Sequence, residues 1–312
     1  MKKTGLIKYL AVIAISFGSF GISLAQDNTS TGSSSQMVIE PLFEYPVAPE
    51  DLEGLNAKTD YLMKNFWNSF DFSNKQAVDQ HALNDAFETY TSFMPHATES
   101  VVFSSVDDLI GKLKKNPTLT YQFTKAAEEI LYGPRSRMWI DQIYVKFLEN
   151  LVSNKNVDKT KKLKYEDQLK LLKGSMNGSK AYRFGYVTRD GVRKQFIPKS
   201  KFTLIEFGNP ECDDCKFAKL RMDISSVLND LIREKKLDVY FIIAESDDDD
   251  NLLQKTKDYP DKWEVGQSPD AEDHYDLRAT PAIYIIGQDG KIIAKNVAVD
   301  TAIGIIEELS KQ

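Results

Sequence analysis

Cys212 and Cys215 are the only cysteines among 312 residues, and two residues separate them. A disulfide across so short a loop removes little chain entropy, so it is a weak structural staple. The spacing suits a redox pair or part of a metal site better. A metal would need more ligands, and His81, His96 and His274 are scattered. A redox pair, an inert short disulfide and a metal site all remain open on spacing alone, with the redox pair favoured. The run Asp247-Asp248-Asp249-Asp250 also offers oxygen ligands. They are consecutive rather than alternating and lack the turn glycine of a calcium loop. Acids ahead of a helix at 251–257 account for them better.

The elements around the cysteines read as a strand-to-helix junction. Residues 203–207 form an apolar run that suits a central strand, and Gly208-Asn209-Pro210 is a turn. A helical pattern over 216–235 then places Phe217, Leu220, Ile224, Leu228 and Leu231 on one predicted buried face. Upstream, Arg189-Asp190-Gly191 between β-rich runs signals a hairpin over 184–196. Downstream come a buried strand at 237–244 and a short helix at 268–277 with Ser268 as N-cap. Ala279-Thr280-Pro281 leads into a strand at 282–286. An Asp289-Gly290 turn, a strand at 291–294 and a closing helix at 300–310 complete the order.

The first half is of another kind. Lys2, Lys3 and Lys8, an apolar stretch over 9–22 and Ser23-Leu24-Ala25 read as a secretory signal (residues 1–25) cleaved after Ala25. Its core is short and broken by small residues, so no membrane span is expected after cleavage. Without a cysteine near the cleavage point, no lipid anchor is expected there. Residues 26–40 are small and polar and suit a flexible tether. Six helices are expected over 41–174, beginning near Pro49, with the cluster Phe66, Trp67, Phe70 and Phe72 ending the first. The basic run over 155–164 reads as a solvated loop. Gly174 to Gly178 is a turn-rich break that marks the boundary between an all-α domain (41–174) and an α/β domain (175–312). Loss of residues 1–25 takes the net charge from −6 to −9, which argues against nucleic-acid backbones as partners.

The order from the hairpin onward, with Cys212 and Cys215 at the junction and Thr280-Pro281 before the next strand, resembles the thioredoxin-like superfamily. The leading hairpin is similar to that of the TlpA/ResA-like thiol oxidoreductases of the bacterial envelope. The resemblance implies a central mixed sheet flanked by helices, a cis Pro281 facing the cysteines, and a buried acid, Glu206, beneath them. Residues from Phe43 to 173 are similar to a helical domain of unknown function that precedes such modules in Gram-negative envelope proteins.

The resemblance implies an exported, periplasmic thiol–disulfide oxidoreductase with no cofactor beyond its own redox-active disulfide. Its partners would be protein thiols or disulfides and an upstream thiol electron donor. Cys212 at the helix N-terminus would attack, and Cys215, one turn in, would resolve the mixed disulfide. Glu206 would accept the Cys215 proton, while Thr280 and Pro281 would meet the substrate. The usual W-C-G-P-C motif is altered: Glu211 replaces the tryptophan, and Asp213-Asp214 replace Gly-Pro. Three carboxylates oppose a thiolate, which points to a reductase or isomerase rather than a strong oxidase. The competing reading is a partner-binding envelope protein that uses the fold as a scaffold with a dormant cysteine pair.

Overall fold

Polar residues that cap helices and apolar residues that line them set the first half of the chain. The computed structural model describes residues 41–134, 136–244 and 255–311. The expected signal, the tether and the four-aspartate run therefore lie outside the described residues. Six helices come first: α1 (Leu55–Asn65), α2 (Gln80–Ser92), α3 (Glu99–Leu113), α4 (Pro117–Leu131), α5 (Asp141–Ser153) and α6 (Lys159–Ser175). Asp79 caps α2 by accepting the Ala82 N–H at 2.9 Å. Asn116 caps α4 through the Leu119 N–H at 3.1 Å, with Pro117 in the first helical position. A proline there loses no hydrogen bond.

Aromatic rings fill the core between these helices. Trp67 lies 4.9 Å from Phe66 and 5.0 Å from Phe123, centroid to centroid. The extended segment before α1 lays Phe43 and Tyr45 over this cluster, 5.4 Å from Trp67 and 5.0 Å from Phe66 respectively. Two expectations need correcting. Helix α1 starts at Leu55 rather than near Pro49, and it ends before Phe66, so the cluster packs from the turns that follow. The basic run is not wholly solvated, because Lys162 is buried. Its Nζ donates to the Val152 and Asn154 carbonyls at 3.0 and 2.5 Å, at the C-terminal end of α5 where a cation is favoured.

The second half is one seven-stranded mixed sheet in the order β2-β1-β5-β4-β3-β6-β7. Its strands are β1 (Gly185–Thr188), β2 (Arg193–Gln195), β3 (Phe202–Phe207), β4 (Leu237–Ile243), β5 (Glu264–Gln267), β6 (Ala282–Gly287) and β7 (Ile292–Lys295). Strand β3 is buried along its whole length, as a central strand with covered faces must be. It runs parallel to β4 and antiparallel to β6. Helices α7 (Asp213–Asp223), α8 (Ser226–Arg233) and α9 (Val299–Ser310) flank the sheet. The described residues belong to one compact unit, Glu40–Gln312.

The single helix expected over 216–235 is two. Ser225 accepts the Leu228 N–H at 3.4 Å and restarts the helix as α8. Cys215, Ala218 and Met222 form the buried face of α7, while Phe217, Leu220 and Ile224 are 54%, 54% and 61% exposed. The helix expected at 268–277 is only a 3₁₀ turn, Pro269–Ala271. Ser268 does not cap it; its hydroxyl donates to the Gly185 carbonyl at 2.7 Å, joining β1 to the chain after β5. His274 therefore lies in a turn, with its ring stacked 3.4 Å from that of Tyr182.

Strand β5, which no sequence pattern suggested, depends on Gly266. A Cβ there would stand 2.6 Å from the Tyr186 ring and 2.7 Å from the Val187 carbonyl oxygen. Backbone cannot yield as a flexible side chain can. Gly266→Ala is expected to cost about 1–3 kcal/mol, read as a lower midpoint in urea unfolding. An unchanged midpoint would show that β1 and β5 separate freely.

Candidate functional site

The end of β3 builds the site. After Phe207 the chain turns through Gly208-Asn209-Pro210-Glu211. The Asn209 Oδ1 accepts the Glu211 N–H at 2.9 Å, and its carbonyl accepts the Cys212 N–H at 3.0 Å. These bonds set Cys212 as the N-cap of α7 in an extended conformation. Its Sγ accepts the Cys215 N–H at 3.3 Å. A side-chain acceptor at this position satisfies one of the unpaired donors of the first turn. Cys212 is half-buried, Cys215 is fully buried, and both are free thiols.

Gly208 makes the burial of Cys215 possible. A Cβ on residue 208 would lie 2.9 Å from Cys215 Sγ and 3.3 Å from the Phe241 ring. Burial pushes the Cys215 thiol up, its contact with Cys212 and the charge of Glu206 push the same way, and the Asn209 backbone partly opposes them.

Glu206 lies two residues before Gly208, on the same face of β3. It stands opposite Phe241 of β4 and Ile283 of β6. It is fully buried, and neither carboxyl oxygen has a hydrogen-bond partner among the described residues. Burial pushes its carboxyl well up, and Cys212 adds to the effect. An unpaired buried carboxyl is costly when ionised, so an ionised Glu206 takes up a proton from a neighbour readily. The buried hydroxyl of Tyr259 likewise has no partner, and its ring packs 4.4 Å from Phe241. Burial pushes this phenol up, and Glu206 and Cys215 come next among the causes.

The Thr280–Pro281 peptide bond is cis. Ala282 pairs with Phe207, so the antiparallel register carries Pro281 to the level of Gly208, at the sheet end where the cysteines sit. Thr280 is exposed and Pro281 half-buried. The structure thus brings Glu206, Cys212, Cys215 and Pro281 to one end of β3 and leaves Thr280 on the rim.

The acids around Cys212 have a structural place of their own. Asp213 and Asp214 occupy the first turn of α7, where the helix dipole favours negative charge. Lys216 Nζ sits 3.2 Å from Asp213 and donates to the Glu211 carbonyl at 3.0 Å. Among the described residues, no group of three or more His, Cys, Asp or Glu side chains is arranged to hold a metal. Sequence reading did not single out Gly208 as a contact of the sulfur, nor Phe241, Tyr259 or Lys216. A glycine directly between a fully apolar strand and the cysteines is the signal that points to the first. Tyr259 comes from a distant loop, with no local signal.

Comparison with known proteins matches this geometry to a fold. Residues 22–175 match a family model described as a domain of unknown function (DUF5106). A thioredoxin-like protein from Bacteroides caccae is 20% identical, with a TM-score of 0.71 over 86% of this chain and 99% of that one. The thioredoxin domain of a thiol-disulfide oxidoreductase from Bacteroides vulgatus is 19% identical, with a TM-score of 0.37 over 43% of this chain and 97% of that one. No curated protein matches the chain. The fold is thioredoxin-like: a mixed sheet with flanking helices, preceded by the helical segment.

Glu206 makes stability depend on pH in a definite direction. In the unfolded chain it ionises near its ordinary value of 4.5; folding raises that value. Its contribution is therefore complete below the unfolded value and is lost as pH rises towards the folded one, at up to about 1.4 kcal/mol per pH unit. Glu206→Gln removes the ionisation. The variant is expected to gain on the wild type as pH rises above about 4.5 in urea unfolding series. A constant difference across pH would contradict a raised carboxyl.

Proposed function

We propose that the protein is an exported thiol–disulfide oxidoreductase acting on protein disulfides through Cys212 and Cys215. One observation carries the reading: a half-exposed cysteine caps a helix, with a second, fully buried cysteine one turn behind it and an unpaired acid on the same face of the strand below. That asymmetry assigns the roles. Cys212, as thiolate, attacks a substrate disulfide; its sulfur bonds to one substrate sulfur and the other leaves as a thiolate. Cys215 then gives its proton to Glu206 and attacks Cys212 Sγ. The bond between Cys212 and the substrate breaks, the second substrate thiolate leaves, and the Cys212–Cys215 disulfide remains. Two electrons have passed to the substrate, and an upstream thiol donor restores the pair. Thr280 and Pro281 lie where an extended substrate segment would run.

The direction of this reading is reductive or isomerising. Strong oxidants stabilise their reduced form as a thiolate. Here burial disfavours charge on Cys215, and among the described residues no cation is paired with Glu206. Export to the periplasm rests on the pattern of residues 1–25. No helix among the described residues is long and apolar enough to cross a membrane.

Insulin reduction by the full chain tests the assignment. Cys212→Ser is expected to abolish turnover. Cys215→Ser is expected to keep the first attack and accumulate a mixed disulfide, visible as a reducible mass adduct. A redox potential near about −270 mV fits the reductive direction, and one near about −120 mV refutes it. Undiminished turnover in Cys212→Ser would overturn the assignment, and a wild type without turnover would leave the fold as a scaffold for partner binding.

A further inference from the structure

The loop that carries Thr280 and Pro281 is gripped by the helical segment. Arg278 stands two residues before Thr280, in a stretch with no regular structure. Its guanidinium lies between two aromatic faces, 4.0 Å from the Tyr132 centroid and 4.7 Å from that of Trp139. It donates to the Tyr132 carbonyl at 2.9 Å and to Asp141 Oδ1 at 2.7 Å. It also donates to both carboxyl oxygens of Asp276, at 2.7 and 2.6 Å. Tyr132 follows α4, Trp139 lies in the connection to α5, and Asp141 is the first residue of α5. A planar, forked cation suits such a site, since it stacks and makes several directed bonds at once.

Lys295 at the end of β7 closes the cluster, 2.7 Å from Asp141 and 2.7 Å from Asp276. The four side chains are nearly dry: Asp276 is 0% exposed, Lys295 8%, Arg278 12% and Asp141 15%. Burial alone would push the Asp276 carboxyl up, but Arg278 and Lys295 hold it down at about 2. The Asp276 carbonyl accepts the Tyr284 hydroxyl at 2.9 Å, which ties the start of the loop to β6. From Asp276 to Arg278 the loop is fixed. The next residues, 279–281, reach the redox end of the sheet within a short span of chain.

We propose that the helical segment is a positioning element for the redox site: through Arg278, clasped by Tyr132, Trp139 and Asp141, it fixes the Thr280–Pro281 edge against which a substrate polypeptide lies. The proposal rests on the reading of that edge as substrate-facing. Arg278 touches neither sulfur, so its loss acts on substrate alignment and leaves the intrinsic reactivity of Cys212 in place. The helical segment then serves the oxidoreductase as part of its substrate site.

Three full-chain variants test this: Arg278→Ala, Arg278→Lys and Trp139→Leu. Amide hydrogen exchange at residue 278, whose N–H donates to Asp276 Oδ1 at 3.4 Å, reads the clasp without any substrate. Exchange is expected to speed up on the order of tenfold in Arg278→Ala, with a smaller change in Arg278→Lys, which keeps the charge but not the fork or the stack. With a protein disulfide substrate, KM should rise on the order of tenfold while alkylation of Cys212 by iodoacetamide stays within about twofold of wild type. Unchanged exchange and KM in a variant that still unfolds cooperatively would overturn the proposal, as would slowed alkylation in step with turnover. Should Arg278→Ala fail to fold, Arg278→Lys and Trp139→Leu carry the same readouts. Wild-type protein without disulfide turnover would refute the oxidoreductase reading, whereas the exchange result judges the clasp by itself.

Discussion

The close approach between Gly208 and Cys215 governs the redox end of the molecule. The sulfur occupies space that any larger residue at 208 would claim. With the sulfur there, α7 can seat its small buried face, Cys215, Ala218 and Met222, on the sheet. Seating that face in turn sets the N-terminus of α7 at the end of β3 and leaves Cys212 at the water boundary. Exposure of one cysteine and burial of the other are thus one constraint, and the chemical difference between them follows from it.

The layer beneath the cysteines is buried and mostly apolar. Among the described residues, the side chains of Glu206 and Tyr259 lie in that apolar layer without hydrogen-bond partners, each next to Phe241. Desolvation strengthens electrostatic coupling in such a place. A proton on Glu206, a thiol at Cys215 and the phenol of Tyr259 therefore respond to one another. The acids outside, Glu211, Asp213 and Asp214, act from the solvent side, where the helix dipole meets Asp213 and Asp214 and Lys216 pairs with Asp213.

Much of this frame was legible in the sequence. Strand β3 announced itself by an apolar run, the β1–β2 hairpin by Asp190-Gly191, and the first half by its helical patterning. The cysteines stood out by their spacing, and Glu206 and Pro281 were found because the strand order around them resembles a known fold. What escaped has physical reasons. Phe217, Leu220 and Ile224 have helical spacing whether they face a core or water, and the true buried face was written in smaller residues. Strand β5 is Glu-Val-Gly-Gln, with no apolar run to mark it. Ser268 looks like a helix cap, but it spends its hydroxyl on Gly185. Arg278 and Asp141 lie 137 positions apart, and no local pattern joins them.

The cluster at Arg278 bears on how separable the two halves of the chain are. With Asp141 in place, two cations face two carboxylates, and the buried charge sums to zero. A chain cut at Gly178 would keep Arg278, Lys295 and Asp276 and lose Asp141, leaving one uncompensated positive charge where the helices had lain. Modularity in this protein is therefore limited by electroneutrality: the thioredoxin-like half carries a charge imbalance that only its helical neighbour cancels.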